Sequence, residues 1–191
     1  LKRYFYHKRF FINDADCLIV RKAENEDDEC RRNCTRTDEE IKTYISAAAA
    51  SGGALMLSDK LRLMSEDQLR QISLLYPINT EAAIPLDLTE RWIPGILDCG
   101  VRRGIRTLIL INWEEKDLTL TVPLGAGGRR VFEFWDHRYE GVFSGEYETV
   151  LAPHTCRVLH ITEAGRPAVI GCGNEVIPTL DQTFENGKLR F

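Results

Sequence analysis

The sequence holds no apolar run long enough to cross a bilayer, which takes about 18–20 uninterrupted apolar residues. Its longest such stretch, around Ile45–Leu57, is broken by Ser46, Ser51, Gly52 and Gly53. It also lacks a concentrated basic face. The groups Arg102-Arg103-x-x-Arg106 and Arg129-Arg130 are small and the net charge is −4, so neither a membrane nor a nucleic acid is the expected partner. Histidine is scarce, and no second Cys/His pair accompanies Cys30-x-x-x-Cys34, so a tetrahedral zinc site is not expected. The other cysteines, Cys17, Cys99, Cys156 and Cys172, are irregularly spaced in a chain too large to need a disulfide framework. That spacing predicts a reduced, cytoplasmic setting. No internal repeat is visible, and nothing in the pattern calls for a cofactor.

Hydrophobic residues make up 43% and charged residues 28%, a balance that fits one ordinary globular domain or two small ones. The first part has α/β character. Residues near Tyr4, Phe5 and Arg9 read as the end of a helix, and Phe10–Asn13 as a short strand. An acidic, solvated loop spans Lys22–Arg36. Thr37-Asp38-Glu39-Glu40 is a capping box that opens a helix, with Ile41, Tyr44, Ile45 and Ala48 at helical spacing. Gly52-Gly53 stops it, and Ala54–Leu57 reads as a buried strand. Ser65-Glu66-Asp67-Gln68 opens a second helix that ends before Pro77. Helices alternating with short strands predict a parallel sheet.

Residues 80–105 are transitional, rich in glycine and proline. After them the period changes to two. Thr107–Asn112, Asp117–Val122, Arg130–Trp135, Tyr147–Leu151 and Arg157–Ile161 read as strands of an antiparallel sandwich. Trp92, Trp113 and Trp135 are expected in its core rather than in a sugar platform. The chain is thus expected to join two unlike pieces near residue 80. Leu1–Phe11 reads as the middle of an element and Gly187–Phe191 as a strand beginning, which predicts a piece of a longer protein.

The stretch Arg3–Arg21, an aromatic-rich segment, then Phe11-Ile12-Asn13-Asp14-Ala15-Asp16-Cys17, then the apolar Leu18–Val20 and Arg21, resembles the end of the α-galactosidase barrel in glycoside hydrolase clan D, family 36 especially, where an aromatic-rich helix leads into the strand. The family form is Asn-Asp-Pro-Asp-Cys, with Ala15 standing here for the proline. Thr37–Glu40, Ser51-Gly52-Gly53 and Leu57-Ser58-Asp59 agree with the family's next helix and strand. The resemblance covers residues 1–77. It implies that 1–79 is the C-terminal portion of a TIM-barrel catalytic domain, its last two βα units. It further implies that 80–163 is an antiparallel β-sandwich domain and 164–191 a tail or the start of a further segment. Function would be that of a retaining α-galactosidase-type glycoside hydrolase acting on terminal α-linked galactosides.

Retaining glycosidases need two carboxyl groups about 5–5.5 Å apart. Asp14 and Asp16 project to one face of an extended chain at roughly 6.6 Å between Cα atoms, but two neighbours on one strand end are badly placed to work on one anomeric centre from different sides. In the family both catalytic aspartates come from earlier strands whose motifs nothing here matches, so no residue of this chain is assigned as catalytic and the isolated chain is expected to be inactive. The resemblance makes Asp16 and Cys17 candidate substrate-binding residues at the barrel mouth. Asn13, Asp14 and Asp59 are candidate structural residues behind them, Ser58-Asp59 reading as the cap of a following turn. The alternative is a non-catalytic module, a carbohydrate-binding or packing β-sandwich. The α/β first third separates the two readings, because a binding module has no use for it.

Overall fold

The computed structural model describes residues 1–22, 36–171, 175–178 and 182–190. The acidic run after Lys22, together with Cys30, Cys34 and Cys172, lies outside the described residues. Among the described residues antiparallel sheet dominates, with two α-helices and one parallel strand pair.

The parallel pair consists of β1 (Asp14–Leu18) and β2 (Ala54–Leu57), joined through helix α1 (Asp38–Ser51). Both ends of α1 follow from local chemistry. The Thr37 hydroxyl accepts from the Glu40 backbone N–H at 3.2 Å, and the Glu40 carboxylate accepts from the Thr37 N–H at 2.6 Å. Asp38, Glu39 and Glu40 face the positive end of the helix dipole. Thr37→Ala is expected to cost about 1 kcal/mol, read as a lowered denaturation midpoint at unchanged slope. At the other end Gly52 takes φ +70°, and a Cβ there would lie 2.2 Å from the Glu81 backbone. A Cβ on Gly53 would lie 1.7 Å from the Asn13 carbonyl oxygen, which accepts from the Ala54 N–H at 2.8 Å. The Gly-Gly step therefore lets two backbones meet where β2 begins.

Three expectations for this part are corrected. Tyr4–Tyr6 is a single 3-10 turn, and the strand starts at Asp14 rather than Phe10. The Asn13 N–H donates to His7 Nδ1 at 2.9 Å and its side chain donates to the Ser51 carbonyl at 3.0 Å, which holds the preceding residues in a turn. Phe10, Phe11 and Ile12 stay exposed. Nor is Ala54–Leu57 fully buried. It alternates exposed and half-buried, and among the described residues β1 and β2 pair only with each other. Helix α2 (Glu66–Ser73) starts from the predicted capping box of Ser65 and Gln68.

Six strands form the antiparallel sheet: β3 (Ile84–Pro85), β4 (Ile96–Arg102), β5 (Ile105–Ile111), β6 (Leu118–Glu133), β7 (Arg138–Leu151) and β8 (Cys156–Glu163), in the order β3-β4-β5-β8-β6-β7. The two strands predicted at 117–122 and 130–135 are one long strand. It pairs with β7 along its whole length but with β8 only over Arg129–Glu133. Gly125, Gly127 and Gly145, all at positive φ, let the first half of this hairpin bend away. Leu120, Val122, Leu124 and Tyr147 then close over Leu108, Leu110, Leu159 and Ile161 as the inner core of the sandwich. Strand β4 carries a bulge at Asp98–Val101, where Asp98 Oδ1 accepts from the Gly100 N–H, within the segment read as transitional. The region read as a tail, with a strand beginning at Gly187–Phe191, contains a hairpin, β9 (Thr183–Glu185) and β10 (Lys188–Arg190), turned at Asn186-Gly187 with both φ positive.

Strand β5 is buried on both faces. Leu108 and Leu110 face the sandwich interior, while Ile109 and Ile111 join a second core with Ile41, Ile45, Ala48 and Val158. Helix α1 thus packs on the outer face of the antiparallel sheet. Thr43 Oγ1 donates to the His154 carbonyl at 3.0 Å and Trp135 Nε1 donates to Ser46 Oγ at 3.0 Å across this contact. Val176 adds a third tie: its N–H donates to the Leu74 carbonyl, and its own carbonyl meets His160 Nε2 at 2.9 Å. The buried Glu133 carboxylate accepts from the Asp136 and Val158 N–H groups, and burial pushes its pKa upward. Trp113 and Trp135 pack against the core, but Trp92 does not. It is 84% exposed, with the Lys2 ammonium 3.5 Å above its ring.

Candidate functional site

Residues 13–17 and 58–59 meet at the parallel pair. Asp14 pairs with Ala54 and Cys17 with Met56, so β1 spends three steps where β2 spends two. The extra residue is a bulge, and Asp16 sits in it at φ +63°, a left-handed conformation unusual for a residue with a side chain. Two short bonds hold it: Asp14 Oδ1 accepts from the Asp16 N–H at 2.8 Å, and Asp16 Oδ1 accepts from the Cys17 N–H at 2.8 Å. The bulge leaves the Asp16 side chain exposed beside the half-buried Cys17. Both aspartates therefore lie within β1 instead of following it, which corrects their expected place after the strand.

Asp59 is not a cap. Its side chain is fully buried; Oδ2 accepts from the Val20 N–H at 2.8 Å, and Oδ1 meets Arg21 Nη1 at 3.2 Å. The same guanidinium nitrogen donates to the Ser58 carbonyl at 3.1 Å, and the Ser58 N–H donates to the Leu18 carbonyl. Asp59 thus ties the chain leaving β1 to the end of β2. Asn13 serves the opposite end through its bonds to His7 and Ser51.

Tyr44, read from the sequence only as part of a helix face, stands between these groups. Its hydroxyl donates to the Cys17 carbonyl at 2.6 Å. Burial raises its pKa; Arg36 opposes the rise, and the neighbouring Asp16, Cys17 and Asp59 add to it. The phenol thus meets the β1 backbone immediately after the Asp16 bulge. The signal available in the sequence was the 3.6-residue spacing that turns Tyr44 towards the strands with Ile41. A cleft of about 680 Å³ opens beside β1, lined by Asn13, Asp14, Tyr44, Ile93 and Trp113 among others; Asp16 and Cys17 do not line it.

Three buried titratable groups elsewhere, Cys99, Cys156 and His160, are structural. Burial pushes Cys99 up to about 12 and Cys156 up to about 11, which keeps both as unreactive thiols. Burial lowers His160 to about 4. Among the described residues no group of three or more His, Cys, Asp or Glu is placed to hold a metal ion, and no helix is long and apolar enough to cross a membrane.

No family model matches the sequence, and no curated protein matches it. Solved structures do share its fold. α-Galactosidase I from Mortierella vinacea superposes with a TM-score of 0.64 at 16% identity, covering 86% of this chain and 43% of that protein. A family 27 β-L-arabinopyranosidase from Geobacillus stearothermophilus gives 0.59 at 15% identity, covering 71% and 33%. An isomalto-dextranase from Arthrobacter globiformis gives 0.52 at 18%, covering 67% and 24%. This chain spans less than half the length of each. A cover of 86% exceeds what the sandwich holds, so the likeness to the first takes in the parallel unit as well. The fold is one found in glycoside hydrolases.

Proposed function

We propose that this chain is the C-terminal part of a retaining α-galactosidase-type glycoside hydrolase: the last two βα units of a (β/α)₈ barrel followed by the β-sandwich. The observation that carries this reading is the parallel β1–α1–β2 unit. Its two strands have open flanks among the described residues, β1 bears Asp14 and Asp16 while Asp59 follows β2, and the unit packs through one helix face on an antiparallel sandwich. A parallel pair buries little by itself and is completed by further parallel neighbours. The solved structures that share the fold are named for different glycosides, so the fold supports a glycosidase in general. The choice of α-galactoside, and of family 36 within the clan, rests on the Asn13–Cys17 and Leu57–Asp59 motifs.

In this reading Asp16 accepts a hydrogen bond from a sugar hydroxyl and Cys17 lines the pocket beside it. Bulge strain fits that role, since a side chain re-aimed out of a strand is commonly a working one. Asn13, Asp14 and Asp59 hold the two strand segments in place. The nucleophile and the acid/base belong to parts of the protein outside this chain. In the protein that carries it, hydrolysis of an aryl α-galactoside should proceed with retained anomeric configuration, followed by NMR of the released sugar. Asp16→Asn should lower kcat/KM about ten- to hundredfold, mostly through KM, the worth of one charge-assisted hydrogen bond of about 1.5–3 kcal/mol. Inversion, or an unchanged KM in Asp16→Asn, contradicts the assignment.

A further inference from the structure

Members of two arginine groups that stand apart in the sequence, Arg102-Arg103-x-x-Arg106 and Arg129-Arg130, meet through the sheet. Strand β8 lies between β5 and β6, and its register sets Ile161 beside Arg106, Thr162 beside Arg130 and Glu163 beside Arg129. Arg166 comes three residues after β8 ends. Arg106, Arg129, Arg130 and Arg166 therefore gather where β8 runs out of the sandwich.

The carboxylates nearby do not match them. Arg106 is held by Asp98 at 2.8 Å. Arg129 and Arg166 share the one carboxylate of Glu163, at 3.3 and 3.6 Å. Arg130 faces no carboxylate among the described residues; its guanidinium donates to the carbonyl oxygens of Glu163, Ala164 and Arg166. Four cations thus stand against two anions, Asp98 and Glu163. Arg166 is the donor left open. Its approach to Glu163 is longer than a hydrogen bond, and among the described residues its guanidinium makes none.

Arg106, Arg129 and Arg166 line a cavity of about 410 Å³ to which β1, α1 and β2 contribute nothing. Its size falls within the range of about 300–1,000 Å³ usual for small-ligand sites. The rest of the lining is mostly apolar. Leu124 and Ile161 belong to the buried sandwich core, while Val101 and Phe184 are 68% and 43% exposed. Phe184 comes from the β9–β10 hairpin, which is anchored at Gln182: its side chain accepts from the Val169 N–H at 2.7 Å and donates to the Val169 carbonyl at 3.1 Å. The hairpin adds no carboxylate to the lining, since Glu185 does not reach it. An apolar hollow edged by surplus positive charge concentrates anions, and an open guanidinium suits the two oxygens of a carboxylate.

We propose that the cavity between the sandwich end and the C-terminal hairpin binds a small organic acid, a carboxylate head on an apolar body. Arg166 takes the head, and Val101 and Phe184 cover the body. This site is separate from the β1–β2 unit and stands without the glycosidase reading.

Titration of the purified chain with phenylbutyrate, phenylbutanol, phenylbutylamine and acetate, followed by NMR, tests it. Phenylbutyrate should bind saturably in the millimolar range, with shifts at Val101 and Phe184. It should bind at least about tenfold more tightly than the alcohol, which lacks the charge, and than acetate, which lacks the body. Arg166→Gln changes a side chain that is 77% exposed, so the fold should stand. Its affinity for phenylbutyrate should fall about tenfold. Phe184→Ala should also weaken binding. Glu163→Gln should tighten it severalfold, because the carboxylate that competes for Arg129 and Arg166 is gone. The proposal is overturned by no saturable binding, equal binding of phenylbutanol or acetate, or preference for the amine. It is equally overturned by affinity unchanged in Arg166→Gln or Phe184→Ala, or lowered in Glu163→Gln. Shifts confined to the cleft beside β1 would overturn it too, and would leave the glycosidase reading standing.

Discussion

Replacing Asp59 by alanine is expected to destabilise the chain by about 3–5 kcal/mol, the scale for removing one partner of a buried pair. The side chain is fully buried and has two jobs, accepting the Val20 N–H and facing Arg21. Alanine leaves the Val20 donor without an acceptor and Arg21, only 23% exposed, without its carboxylate. Against a usual total of about 5–15 kcal/mol, such a loss threatens folding. Asp59→Asn keeps an acceptor for Val20 and should cost distinctly less. Denaturant titration of both variants decides the matter. A loss below about 1 kcal/mol in Asp59→Ala would mean that this clamp does not hold β1 to β2.

Acid should weaken the chain through His160. Burial holds its folded pKa at about 4 against an ordinary value of 6.5, so the fold keeps the imidazole neutral. The stability tied to that neutral form is complete above pH 6.5 and is lost as pH falls from 6.5 towards 4. Two and a half pKa steps correspond to about 3 kcal/mol at the acid end. Glu133 works in the other direction: burial raises its pKa, so its charge costs stability as pH rises above the ordinary carboxylate value of 4.5. The difference between the parent chain and His160→Gln isolates the histidine. Unfolding free energies should converge near pH 4 and separate by pH 7. Parallel curves would show that His160 is not held neutral. Since His160 meets the carbonyl of Val176, whose N–H reaches Leu74, its loss should also loosen the tie between the sandwich and α2.

Local chemistry explains what could be read beforehand. The capping boxes at Thr37–Glu40 and Ser65–Gln68 close within three residues, so their helices were legible. The uninterrupted apolar run of β5 was legible as a strand; that its two faces enter two different cores was not, because the second core is supplied by α1. Features set by distant partners were missed. Phe10–Asn13 has strand composition, but His7 and Ser51 claim Asn13 first. Gly100 hid β4, since a glycine reads as a break until Asp98 is seen to stabilise a bulge there. The bend at Gly125–Gly128 made one strand look like two. Asn186-Gly187 was a hairpin signal that went unused. At the candidate site the motif named Asn13, Asp14, Asp16, Cys17 and Asp59, and nothing in it showed that Asp59 would face Val20 and Arg21 or that Tyr44 would join the group. Trp92 shows the limit of composition: aromatic residues of a sandwich are mostly core, and this one lies on a loop outside it.

If, as proposed, this chain supplies the rim and the packing domain of a glycosidase, the reacting carboxylates lie elsewhere. Incubating the purified chain with an aryl α-galactoside and following release of the phenol tests it most directly. The account predicts no turnover above buffer. Turnover that survives purification and disappears in Asp14→Asn or Asp16→Asn would contradict it, because the chemistry would then reside in β1 itself.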